Sequence, residues 1–199
     1  MTDTVIRLAA PKDGGQVAAI YAPFVTDTVV SFELTPPDAE EMMRRITGTM
    51  EQYPWLVCER AGELLGYANA SQHRTRSAYQ WSVDTAIYTG PACRRSGLGR
   101  ALYTSLLGVL TLQGFYNAYA GVTLPNPASV GLHEAMGFEP VGVYRHVGFK
   151  MGRWLDVGWW QLSLLPRTDP AAAPRPLSEV SRGDLFQSCL TEGLKYLRL

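Results

Sequence analysis

A mixed α/β fold, with helices flanking one mixed central sheet and a short extension at the C-terminus, is the class that this sequence predicts. Element signals run in the order β-α-α-β-β-β-α-β-α-β-β, whereas a doubly wound parallel sheet would alternate strand and helix throughout. The chain has 199 residues, a length that suits one domain plus a tail. Apolar residues make up 46% and charged residues 18%, enough for a sizeable core and unlike a disordered chain.

Residues 5–8 (Val5, Ile6, Arg7, Leu8) read as a first strand. Pro11 and Asp13 open a helix whose apolar residues Val17, Ile20, Tyr21 and Phe24 recur at helical spacing. A loop over 26–37 holds Ser31, Phe32 and Glu33, and Pro36-Pro37-Asp38 starts a second helix carrying Met42, Met43 and Ile46. Residues 55–58 and 64–71 form a hairpin about Ala61, Gly62 and Glu63. Residues 82–89 are β-prone and end at Gly90-Pro91. From Gly97 a helix runs with Leu98, Leu102, Leu106, Val109 and Leu110 on one face, and Gly114 stops it. A strand at 116–123, a helix at 127–136 and β-like runs near 140–149 and 157–165 follow. The Pro/Ala-rich stretch after Pro166 reads as a linker. Asp184 then caps an amphipathic helix with Phe186, Cys189, Leu190, Leu194 and Leu197 as its apolar stripe. The division is a domain at 1–165, a linker at 166–183 and a helix at 184–199. So short a helix is marginal alone and needs a surface: its own body, a second copy or another protein.

Eighteen Lys and Arg cancel eighteen Asp and Glu, which argues against a generic nucleic-acid binder or a polybasic membrane-surface protein. No run reaches the roughly 18 apolar residues of a membrane span, and residues 1–7 lack the plan of a signal peptide. Cys58, Cys93 and Cys189 have no CxxC spacing, and the three histidines lie in unrelated segments, so no metal site is expected. The expectation is a cytoplasmic protein with free thiols.

The chemistry concentrates in Arg94-Arg95-Ser96-Gly97-Leu98-Gly99-Arg100, between a strand and a helix. Glycine allows close backbone approach, and the first helical N–H groups point outward without partners. With the helix dipole and the arginines, this makes a pyrophosphate cradle or, equally on these residues alone, a solvated basic turn. The dinucleotide fingerprint fails at Leu102, and a nucleotide-triphosphate loop lacks its Gly-Lys-Ser/Thr.

Arg-x-x-Gly-x-Gly at 94–99 resembles the acetyl-CoA pyrophosphate loop of the GNAT acetyltransferases, and 126–138, from Asn126 to Phe138, resembles their second CoA-contacting segment. Ser31-Phe32-Glu33, residues 53–57, residues 74–79 and residues 148–161 are similar to the phosphinothricin acetyltransferase branch and its arsinothricin and methionine-sulfoximine relatives. The resemblance spans 6–165. It implies the GNAT fold, acetyl-CoA as cosubstrate, a small amino-acid-like amine as acceptor and a homodimer.

The resemblance also implies roles. Asp84 stands where the branch carries a glutamate base; its side chain is shorter by one C–C bond, about 1.5 Å, which suits a water relay. Only about 0.1–10% of an amine is unprotonated at pH 7, so a base has work to do. His133, on a polar stripe with Asn126 and Ser129, stands where the wider family places a tyrosine that protonates the departing thiolate. Ile87, Tyr88 and Thr89 would offer backbone groups to the pantetheine arm, joined by Asn126, while Arg94, Arg95, Ser96, Gly97, Leu98, Gly99 and Arg100 hold the pyrophosphate. Arg74 and Arg76, alternating along a strand or its end, map with Tyr79 onto substrate-contacting positions, and guanidinium suits a carboxylate or phosphinate. Phe32 would wall the substrate, with Tyr103 a further lining candidate. Cys93, its pKa drawn down by neighbouring arginines, has no step to perform. A protein-amine acetyltransferase and a non-catalytic CoA-binding module on the same fold remain the alternatives.

Overall fold

The computed structural model describes residues 4–93 and 95–198. Seven strands form one sheet: β1 (Thr4–Leu8), β2 (Trp55–Arg60), β3 (Glu63–Gln72), β4 (Ser82–Thr89), β5 (Asn117–Leu124), β6 (Glu139–Lys150) and β7 (Arg153–Ser163). Their spatial order is β1-β2-β3-β4-β5-β7-β6. Every neighbouring pair is antiparallel except β4 and β5, which are parallel.

Helices α1 (Gly14–Thr26) and α2 (Ala39–Met50) cover one face, and α3 (Leu98–Gln113) and α4 (Pro127–Ala135) serve the other. The apolar run at 55–58 is explained by this sandwiching. Trp55 and Val57 join the core of Val17, Tyr21, Met42 and Ile46, while Leu56 and Cys58 join that of Leu98, Leu102, Leu106 and Leu110. Period-two alternation sends successive side chains to opposite cores, so a strand covered on both faces reads as unbroken hydrophobicity.

Local signals set the helix ends. Asp38 Oδ1 accepts from the Glu41 N–H at 2.8 Å to cap α2, and Asn126 Oδ1 accepts from Ser129 N–H at 3.1 Å to cap α4, with Pro127 next. Gly114, at φ 94°, ends α3 in the left-handed region.

The tail packs on its own body. Two helices, α5 (Leu177–Val180) and α6 (Asp184–Leu194), lie against α3, burying Leu177, Val180, Phe186 and Leu190. Gly183, not Asp184, is the N-cap of α6. The stretch expected as a linker is also tied down. Trp81 Nε1–H donates to the Ala172 carbonyl at 2.7 Å, and Arg175 N–H to that of Gln113 at 2.7 Å. Extended Pro-rich chain has no internal hydrogen bonds, so its backbone groups are free to pair with the body.

Candidate active site

The sheet is split at its centre. β4 and β5 pair at Ser82–Asn117, Val83–Ala118 and Asp84–Tyr119, and beyond that they part, although β4 runs on to Thr89 and β5 to Leu124. Backbone groups of 85–89 that face β5 therefore have no ladder partner there, as at a sheet edge. Ile87, Tyr88 and Thr89 lie along this stretch.

Alternation along β4 sorts the side chains around the split. Asp84 and Tyr88 face the α1–α2 side and line a cavity of about 470 Å³ with Tyr21, Phe32, Glu33 and Trp159. Thr85 and Ile87 face the other side, where a smaller cavity of about 70 Å³ is lined by Tyr103, Asn126, Ser129 and His133. Val30, Tyr88, Gly121 and Thr123 border both cavities, so the split joins them through the sheet.

Asp84 is held from one side. Its Oδ1 lies 2.6 Å from His73 Nδ1, and the His73 ring stacks on Tyr119 at 4.4 Å. Burial pushes the Asp84 pKa up, partly offset by the His73 bond and the charges of His73 and Arg74. Tyr79 meets the His73 ring edge-on at 5.9 Å.

The loop carrying Phe32 is fixed by a polar chain. Tyr21 hydroxyl donates to Glu33 Oε1 at 3.0 Å and shares a 2.6 Å bond with Ser31 Oγ, and Arg45 pairs with Glu33 at 2.7 Å. Arg45 holds the Glu33 carboxyl below its ordinary range. Buried Lys150 donates from Nζ to the carbonyls of Val25 and Ser31, each at 2.7 Å. Phe32 itself lies where a Gly148 side chain would be: a Cβ there would come within 2.1 Å of its ring.

On the opposite face, both ring nitrogens of His133 are engaged. A carbonyl only accepts, so Nδ1–H donates to Ser129 O at 2.7 Å, and in the neutral form, which burial favours, Nε2 accepts from the Tyr103 hydroxyl at 2.8 Å. Burial lowers the His133 pKa and raises that of Tyr103. Two expectations about neighbouring residues change. Tyr103 belongs to this cavity and not to the one lined by Asp84, because its position on α3 places it beneath the sheet, fully buried. Arg74 and Arg76 do not alternate along a strand: β3 ends at Gln72, and both sit exposed in the turn before Tyr79. Arg74 lies 5.9 Å over the Trp159 ring at the cavity wall, and Arg76 precedes the short turn at Ser77–Tyr79.

The loop before α3 takes the shape a backbone cradle needs. Arg95 (φ 62°) and Gly97 (φ 79°) are left-handed, and Leu98 and Gly99 begin α3, whose first N–H groups are free. Ser96 Oγ donates to the Cys93 carbonyl at 2.7 Å. Arg94 lies outside the described residues. The expectation for Cys93 reverses, since burial raises its pKa. The tail rests on the same loop. The Tyr196 carbonyl sits where a Gly97 side chain would be, Arg198 N–H donates to the Ser96 carbonyl at 2.8 Å, and the Arg100 guanidinium stacks 4.3 Å from the Tyr196 ring.

His73 and the tail contacts were not foreseen from sequence; a histidine just past the end of a strand is the only hint of the first. Among the described residues, no cluster of three or more His, Cys, Asp or Glu is arranged to hold a metal ion. No described helix is long and apolar enough to cross a membrane.

A split mixed sheet with a glycine-turned helix start beside it is the architecture of an acetyltransferase, and the comparisons agree. Residues 6–159 match the model of the acetyltransferase (GNAT) domain, and the chain belongs to that family. It is 38% identical to a phosphinothricin N-acetyltransferase of Streptomyces viridochromogenes over 89% of this chain and 94% of that protein. An L-methionine sulfoximine/L-methionine sulfone acetyltransferase of Pseudomonas aeruginosa is 36% identical over 81% of this chain and 95% of its own. Among solved structures, a phosphinothricin acetyltransferase from Sinorhizobium meliloti in complex with acetyl-CoA superposes with a TM-score of 0.79 at 36% identity, covering 94% of this chain and 99% of that one.

Proposed function

We propose that this protein transfers the acetyl group of acetyl-CoA to the amino group of a small amino-acid analogue of the phosphinothricin, arsinothricin or methionine-sulfone type. The observation that carries the reading is the split sheet: one opening joins a carboxylate-lined cavity on one face to a histidine-lined cavity on the other. Names of the relatives support the substrate class. Acetyl-CoA fits the second face, where the free backbone of 85–89, Asn126 and the loop at 95–100 suit its pantetheine and pyrophosphate; it supplies the activated acetyl group. Asp84 takes the proton that the attacking amine must shed. Tyr103 and His133 form one polar pair beside the sulfur; the Tyr103 O–H, which donates to His133 Nε2 at rest, turns to the sulfur as negative charge develops there. Phe32 walls the acceptor cavity, Arg74 meets the acidic head at its rim, and Arg76 and Tyr79 extend that rim. Such an activity belongs to the cytoplasm, where acetyl-CoA is at hand, and would confer resistance to the acetylated analogue.

A panel assay following acetyl-CoA consumption with phosphinothricin, arsinothricin, methionine sulfoximine, methionine sulfone and a peptide amine tests this. Turnover of the small amines is expected, and turnover of the peptide alone would overturn it. Arg74→Ala should raise KM for anionic acceptors by about 10–150-fold, the range for a lost charge-assisted bond. Methionine sulfone and acetyl-CoA should be little affected. Arg74→Lys should recover only part, since an ammonium is not a planar fork. Equal losses for charged and neutral acceptors would mean that Arg74 shapes the rim instead of reading the head group.

The reading includes a homodimer. β6 and β7 end in an exposed apolar hairpin with Val141, Val143, Val147, Phe149 and Trp154 on the surface, the kind of patch that marks an interface. Light scattering should give twice the chain mass, and Phe149→Asp with Trp154→Asp should halve it. A monomeric parent protein at micromolar concentration would remove the assignment.

A further inference from the structure

We infer that His73 is the positioning residue of the acetyl-transfer site: it clamps Asp84 through a hydrogen bond between its Nδ1–H and Oδ1, fixing the carboxylate at the edge of the split. The inference rests on the proposed role of Asp84 as the base.

The geometry carries it. An ionised carboxylate has no hydrogen to give, so a 2.6 Å contact requires the proton on Nδ1. That length is short for N–H···O, as expected when the acceptor is charged. The ring is not free to swing, since Tyr119 stacks on it at 4.4 Å with only 15° between planes. Tyr79 and Trp159 meet it edge-on at 5.9 and 6.3 Å. Three aromatic neighbours and one hydrogen bond therefore set the orientation of a short side chain.

Position in the sheet explains why this residue reaches. Ser71 of β3 lies opposite Asp84 of β4, so His73, two residues further along, is its diagonal neighbour on the same face. The bond occupies Oδ1 alone and leaves Oδ2 for the amine proton. When that proton arrives, Asp84 becomes a neutral carboxylic acid and His73 keeps its own proton, so the imidazole is not part of the transfer.

The clamp also sets the pH range in which Asp84 is available. Burial favours the protonated acid, and the Nδ1–H donor favours the ionised form. The charge of Arg74 also favours the ionised form, and Glu33, paired with Arg45, lines the same cavity from the loop opposite. Tyr79 and Arg167 act on Tyr119, the residue stacked on the clamp. Without the donor, Asp84 binds its proton more tightly, so the base is lost at a higher pH than in the parent.

His73→Phe keeps the stacked ring and removes the donor; His73→Asn keeps an N–H near Nδ1 and removes the ring. The Phe variant should lower kcat by about 10–100-fold and move the acidic limb of kcat/KM upward by about one pH unit. Its acetyl-CoA KM should stay within about twofold of the parent. The Asn variant should restore the position of the acidic limb. In the parent, the Nδ1 proton should give a far-downfield, exchange-protected NMR signal that Asp84→Asn shifts upfield. A folded His73→Phe variant with an unmoved acidic limb overturns the inference. If Asp84→Asn is itself without effect, the base assignment fails; if Asp84→Asn is crippled while His73→Phe is not, only the clamp fails.

Discussion

Asp84→Asn is expected to lower kcat by about 10²–10⁴-fold, the usual cost of removing a general base, with acetyl-CoA affinity preserved. The substitution keeps the shape of the side chain and an oxygen to accept from His73, so the fold and the cavity persist while the proton acceptor is lost. The deficit should deepen as pH falls. Amines titrate at about 8–10, so fewer acceptor molecules are already neutral at lower pH and more depend on the base. A variant that holds the parental kcat from pH 6 to pH 9 would remove Asp84 from the mechanism. Asp84→Glu separates reach from placement. It adds about 1.5 Å of chain, but the parent carboxylate is pinned by His73 at 2.6 Å and the longer one cannot keep both that bond and its place. The rate should therefore fall. A rise would show that direct contact with the amine outweighs the clamp.

Gly97→Asp carries the second large effect: loss of measurable CoA binding by calorimetry. A carboxylate beside the start of α3 opposes the pyrophosphate charge and the favourable end of the helix dipole. The sequence alone suggests that only binding suffers. The structure adds a second cost, because a Cβ at Gly97 would lie 2.0 Å from the Tyr196 carbonyl and the residue sits at φ 79°. Left-handed backbone costs a non-glycine residue roughly 1–2 kcal/mol, and the tail must also lift away. Both Gly97→Asp and Gly97→Ala should therefore lower Tm by several degrees. Gly99→Asp should abolish binding with a smaller loss of Tm, since a Cβ there meets the movable end of the Leu132 side chain at 3.0 Å. Undiminished CoA affinity in both aspartate variants would remove the loop assignment.

What the sequence revealed was whatever is encoded locally or repeats with a period. The Asn126-Pro127 cap, the Gly114 stop, the doubly buried run at 55–58 and the glycine turn before α3 all have short-range causes, and each is found where expected. What it concealed depends on distant partners. His73 matters because strand register puts it diagonal to Asp84, eleven residues on. Tyr103 has the spacing of a core aromatic, and the approach of α4 brings its hydroxyl to His133, thirty residues away. Arg74 and Arg76 misled because strand alternation was extended two and four residues past the end of β3. The tail showed its apolar stripe but not its destination, since nothing near residue 196 encodes the loop at 97.

The split between β4 and β5 has a consequence for traffic. The two cavities open on opposite faces and share a wall of Val30, Tyr88, Gly121 and Thr123. For the proposed reaction, thioester and amine thus come from opposite sides and meet edge to edge, as at a hatch between two rooms. Neither has to cross the path of the other. With donor and acceptor present together, no side chain need carry the acyl group from one visitor to the next.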